Sequence, residues 1–131
     1  MLGEMSLRSE RLSRPEPYIN LAIKYFAEAH EYLDRNECEK ASESLWGSLA
    51  AALNAISSAR TGKPLLSHQE LKLFARQLSV EINDPEIYRV FRETERLHAS
   101  FYHAFFTIED LVDLLPRIGN VVRKILSLIR L

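Results

Sequence analysis

The sequence predicts an all-α fold, an antiparallel up-and-down bundle of four to five helices. Three observations carry that expectation. Apolar residues recur at three- and four-residue steps through long stretches of the chain. Only four glycines and five prolines occur in 131 residues, and most fall between those stretches. Helix-start signals stand at the head of several stretches, whereas strands have almost no support.

Pro15 and Pro17 open the first helix, which is expected to run to about Arg35. Its buried stripe reads Ile19, Ala22, Ile23, Phe26, His30 and Leu33, with Tyr18, Tyr25 and Tyr32 repeating beside it as a packing edge. The second helix is expected from near Glu37 to about Arg60. Ala41, Leu45, Leu49, Ala52 and Ile56 form one of its faces, and Trp46, Ala50, Leu53 and Ser57 another. So many small residues let neighbours approach on more than one side, which makes it the central helix. Thr61-Gly62-Lys63-Pro64 ends it, because glycine suits the left-handed position after a helix and proline prevents resumption.

Ser67-His68-Gln69-Glu70 is a capping-box pattern and starts a third helix. Leu71, Phe74, Ala75 and Leu78 give that helix a buried face, and it is expected to stop before Asn83-Asp84. His68, in its first turn, is expected to be solvated. Asp84-Pro85 starts the fourth helix, since a short acidic side chain caps free amides and proline at the first position loses no hydrogen bond. This helix is expected to reach Phe106, with Ile87, Phe91, Thr94, His98, Phe101 and Phe105 facing the core. At about 100° per residue, Arg89, Arg92, Arg96 and His103 cluster opposite, within an arc of roughly 60°. Thr107 to Asp110 starts a fifth helix, which Pro116 is expected to kink or divide. Beyond Pro116 the apolar residues from Ile118 to Leu131 are too many for one stripe, so some are expected to be covered by a second copy or by the N-terminal segment.

Length and composition allow one domain, residues 15–131, preceded by a polar segment, 1–14, expected to be flexible or to contact a partner. Hydrophobic residues at 47% and charged residues at 27% match a soluble globular chain. The net charge of −1 argues against a generally nucleic-acid-coating protein, although a local basic patch can still act. Cys38 is the single cysteine and can form no internal disulfide, which favours a reducing, cytoplasmic setting. No apolar run is suited to a signal peptide or a membrane span.

The chemistry concentrates on the fourth helix. Arg96 and His103 lie two turns apart on one face, about 10 Å along the axis, with Arg92 one turn before Arg96. A histidine moves protons near neutral pH and an arginine holds phosphate oxygens in a fork, so the set suits phosphodiester cleavage by a ribose hydroxyl. The bland alternative pairs these arginines with Glu86, Glu93 or Glu95. Arg92 and His98 form a second arginine-to-histidine spacing, but point about 120° apart on one helix and would converge only across a dimer interface. His98, on an aromatic face, also suits a structural role. Glu95 and His98 match one Glu-x-x-His ligand motif where carboxylate-bridged metal sites need two, so neither metal nor cofactor is expected.

Ala22 through Ser57, the polar loop with His68, and Glu95-Arg-Leu-His-Ala-Ser-Phe-Tyr-His103 together resemble the archaeal PaREP branch of the HEPN superfamily. The resemblance covers roughly Pro17 to Leu128. Its most specific parts are Ala41-Ser-Glu-Ser-Leu-Trp-Gly47 and Leu97-His-Ala-Ser-Phe-Tyr102. It implies a helical bundle assembled as a homodimer, and a metal-independent RNase of toxin-antitoxin or defence type in active members, often beside a nucleotidyltransferase or antitoxin partner. The superfamily motif is an arginine, four to six residues, then a histidine at the dimer cleft. Arg92 with His98 and Arg96 with His103 both meet that spacing. The family pattern favours His98, whereas helical geometry favours His103. Two functions stay open from the sequence: an RNA- or nucleotide-binding homodimer that cleaves RNA, and a noncatalytic interaction module with a structural His98.

Overall fold

A computed structural model describes residues 14–100 and 107–129. Among these residues the chain is all helix without strands: α1 (Pro15–Asp34), α2 (Cys38–Thr61), α3 (His68–Glu81), α4 (Pro85–Ser100) and α5 (Ile108–Ser127). Residues 1–13 lie outside this description, as do Phe101, His103 and Phe105 at the expected end of the fourth helix.

Local signals set the boundaries. Ser67 Oγ accepts from the Glu70 amide at 3.1 Å, and the Glu70 carboxylate reaches back to the Leu66 amide at 2.5 Å. Asp84 Oδ1 accepts from the Glu86 amide at 3.0 Å, with Pro85 as the first helical residue. The Thr107 amide donates to Asp110 Oδ2 at 2.9 Å. Gly62 ends α2 at φ 71° and donates to Ser58 O at 2.9 Å. Asn36 and Asn83 take φ of 57° and 54° in the α1–α2 and α3–α4 links, a left-handed conformation that asparagine tolerates better than most residues.

Helix α2 packs against each of the other four helices, as its small-residue faces predict. Ala41, Leu45, Leu49, Ala52, Leu53, Ala55 and Ile56 are all fully buried. Close approach to α1 is built from small groups: Ser48 Oγ donates to Ala22 O at 2.7 Å, and the Tyr25 ring lies over Gly47. On the other side of α1, the Phe26 ring fills the notch at Gly119 of α5.

Gly119 and Gly47 therefore differ in what a methyl group meets. At Gly119 a Cβ would stand 2.6 Å from Phe26 Cζ, and at Gly47 3.0 Å from Tyr25 Cδ2. Overpacking costs about 1–3 kcal/mol, whereas glycine to alanine within a helix gains about 1 kcal/mol. Gly119→Ala is expected to lower the urea midpoint and Gly47→Ala to leave it nearly unchanged. Adding Phe26→Leu to Gly119→Ala is expected to restore part of the loss.

Two expectations are corrected here. Ile23 and His30 are exposed, Ile23 at 58%, although both fit the predicted stripe of α1. The stripe that packs is centred on Ala22 and Ala29 and turns toward the tyrosines, which leaves Ile23 and His30 beyond its edge. Of the expected kink or division at Pro116, the division does not occur, since α5 runs unbroken from Ile108 to Ser127. Both Pro116 and Val112, whose carbonyl loses its partner, face solvent, so water can satisfy that oxygen. The apolar residues after Pro116 are covered to different degrees by the described part of the chain, and Leu131 lies outside it. Ile118, Val121, Val122 and Ile125 are buried, and Leu126, Leu128 and Ile129 pack half-buried against the same core.

Asp84 also ties α5 to the start of α4 through Lys124. The Lys124 hydrogen bond holds the Asp84 carboxyl below the usual carboxylate range. A depressed folded-state value means that the pair stabilises above about pH 4 and that this contribution is lost as the pH falls through the folded value. Asparagine caps a helix as well as aspartate, so Asp84→Asn isolates the ion pair. Urea melts across the acid range are expected to show a shallower decline below about pH 4 in this variant than in the parent.

Candidate functional site

The amphipathic pattern of α4 sorts its side chains. Ile87, Val90, Phe91, Thr94 and Leu97 are buried, and the Thr94 hydroxyl is satisfied by donating to Val90 O at 2.7 Å. On the opposite side Arg89 lies 3.7 Å from Glu86. Arg92 Nη1 donates to the Tyr88 hydroxyl at 3.2 Å, and its Nε stands 3.8 Å from Glu95. That hydrogen bond with Tyr88 raises the arginine further above its already high range and pulls the phenol down; Lys72 and Arg76 of α3 also pull the phenol down. Arg96 is exposed and lines a 270 Å³ cleft between α4 and α5 with Glu93, Asp110, Asp113 and Arg117.

Arg117 of α5 changes the charge balance of this face. It contacts Glu86 at 2.5 Å and Glu93 at 2.6 Å, and the hydrogen bond to Glu86 pushes its guanidinium upward. Two of the glutamates that sequence spacing offers to the α4 arginines are thus held from another helix. Glu95 stays with Arg92.

His98 points away from the arginines, half-buried, and its ring stacks on Trp46 of α2 with centroids 5.6 Å apart and planes at 15°. Phe91 meets the same indole at 5.5 Å. A second histidine joins them. His68 lies nearly parallel to Trp46 at 4.8 Å and 11°, which corrects the expectation that it is merely solvated. It is exposed at the protein surface and stacked at once.

The α2–α3 link explains how His68 arrives there. Ser57 Oγ donates to Lys63 O at 2.9 Å, and Asn54 Oδ1 accepts from the Leu65 amide at 2.6 Å. Ser57, Asn54, Ala50 and Trp46 follow one another at three- and four-residue steps, one stripe of α2. The link is pinned at two points on that stripe and leads back along it, so α3 starts beside Trp46. Sequence spacing alone missed this because the contact joins helices distant in sequence. The polar residues Asn54 and Ser57 on the Trp46 stripe were the available signal.

Of the four residues expected to carry chemistry, His98 meets Trp46, Arg92 meets Tyr88 and Glu95, and Arg96 lines the α4–α5 cleft. Arg92 and His98 share no partner among the described residues. His103 lies outside them. Neither imidazole on Trp46 hydrogen-bonds to another described residue, so their nitrogens are uncommitted within this set. No group of three or more potential metal ligands occurs among the described residues, and no described helix is long and apolar enough to cross a membrane. No curated protein and no solved structure gives a significant match to this chain. The sequence profile of the archaeal PaREP1/PaREP8 family matches residues 17–122, a span that contains Trp46, His68, Arg92 and His98, and the chain belongs to that family.

Proposed function

We propose that this chain is a HEPN-type homodimer, an antiparallel helical bundle that binds RNA and cleaves it without metal. The observation that carries the proposal is the pair of imidazoles, His68 and His98, stacked on Trp46 beside the helix that bears Arg92 and Arg96. One imidazole takes the proton of a ribose 2′-hydroxyl as its oxygen attacks the adjacent phosphorus. The other gives a proton to the departing 5′-oxygen, leaving a 2′,3′-cyclic phosphate and a 5′-hydroxyl. An arginine guanidinium bears the charge that builds on the non-bridging oxygens. Because Arg92 and His98 diverge on one helix, the arginine that faces His98 comes from the second copy. A nucleotidyltransferase or antitoxin partner, which rests on the resemblance, and a cytoplasmic setting, which rests on the single cysteine Cys38, complete the proposal.

A noncatalytic interaction module is the second reading. The ion pairs of Arg92 with Glu95 and of Arg89 with Glu86 favour it because they neutralise part of the basic face. The deciding experiment is RNA cleavage by purified protein in excess chelator, comparing the parent with Arg92→Ala, Arg96→Ala, His68→Ala, His98→Ala and His103→Ala. Cleavage lost in one arginine and one or two histidine variants supports the nuclease. A folded, dimeric parent that cleaves no RNA in a broad substrate set supports the interaction module.

A further inference from the structure

We infer that Lys72, Arg76 and Arg92, gathered around Tyr88, form a phosphate track that leads single-stranded RNA along the α3–α4 face to the His68–Trp46–His98 cluster. This inference rests on the RNA-binding reading above and names the surface that does the binding. Along α3, His68, Lys72 and Arg76 follow one another by one turn each, about 6 Å along the axis. Along α4, Tyr88 and Arg92 are likewise one turn apart, with the Arg92 guanidinium bonded to the phenol and its carbon 5.9 Å from the ring centroid. The two rows adjoin because the Tyr88 amide donates to Ser79 Oγ of α3 at 2.7 Å. The charges of Lys72 and Arg76 reach the Tyr88 phenol and pull it down together with Arg92.

The far end of the track is an open groove of about 630 Å³, lined by Arg76, Ser79, Val80, Asn83, Pro85 and Tyr88. Its near end is the Trp46 cluster, since His68 opens α3 and His98 lies in the last turn of α4. Glu95, 3.8 Å from Arg92, is the one carboxylate paired with these three cations among the described residues. Lys72 and Arg76 have no carboxylate partner within that set. A row of cations interleaved with aromatic rings suits a single strand, whose phosphates follow the charges while its bases stack. An acidic peptide would use the charges but not the rings.

The test is fluorescence anisotropy of a labelled, unstructured oligoribonucleotide titrated with the full chain at several salt concentrations. The parent is compared with Lys72→Gln/Arg76→Gln and with Lys24→Gln/Arg35→Gln, an equal charge loss on α1 and the residue that follows it. The expected result for the α3 double variant is binding weaker by on the order of tenfold at low salt, with the slope of log affinity against log salt reduced by about 1.4. The α1 double variant is expected to match the parent. If the parent binds and both double variants bind equally well, the track is overturned while RNA binding stands. If the parent binds no RNA at any salt concentration, the track and the RNA reading both fail. Polyglutamate of matched length competing as strongly as RNA would overturn the nucleic-acid assignment of the track. Circular dichroism of each variant keeps misfolding apart from lost binding.

Discussion

His98→Ala is expected to lower the rate of RNA cleavage by about 10²–10⁴-fold, the range supplied by a positioned acid or base, while leaving the protein folded. The separation of activity from folding follows from where the ring sits. His98 is half-buried, and its described contact is one offset stack on Trp46, worth about 0.5–1.5 kcal/mol. The buried residues of the same helix, from Ile87 to Leu97, are untouched by the change. His68→Ala is expected to match it in activity and to cost even less stability, because His68 is already exposed. His98→Gln sharpens the comparison: the amide can fill much of the imidazole's space and hydrogen-bond, but cannot shuttle a proton. Single-turnover cleavage at saturating RNA reads the chemical step. If His98→Gln retains parental rates, the His98 imidazole is structural and proton transfer belongs to other groups. If both histidine variants lose activity while RNA binding persists, proton transfer belongs to the pair.

The parts of this molecule that were legible in the sequence are those set by neighbours along the chain. The caps at Ser67, Asp84 and Thr107 act within a few residues of themselves, and so does the left-handed Gly62. The central role of α2 was legible because alanines and serines on several faces have few other uses. What was not legible depends on a second helix. Ile23 and His30 fit a 3.6-residue period but fall outside the arc that α2 and α5 leave for α1. The Phe26–Gly119 contact, which brings α1 and α5 close together, likewise depends on two helices distant in sequence. For the candidate site, the spacing of Arg92, Arg96 and His98 was visible. His68 was not, since its place depends on how Asn54 and Ser57 hold the link.

Phe91→Ala is expected to cost about 3–5 kcal/mol, the range for emptying a large aromatic site in a core. Phe91 is fully buried and is the largest of the fully buried side chains among the described residues, so its removal leaves a cavity that α2 and α4 must collapse to fill. Urea denaturation followed by fluorescence measures this directly, because Trp46 is the sole tryptophan and sits 5.5 Å from the Phe91 ring. The same proximity makes a milder substitution informative about function. Phe91→Leu keeps most of the volume and is expected to cost less than about 1.5 kcal/mol, but it removes the aromatic edge that holds one side of the indole. If the indole is the platform that orients both imidazoles, Phe91→Leu lowers cleavage at saturating RNA without weakening RNA binding. An unchanged cleavage rate would mean that the histidines hold their positions without Phe91, through their own helices. The platform would then be a consequence of packing and not its purpose.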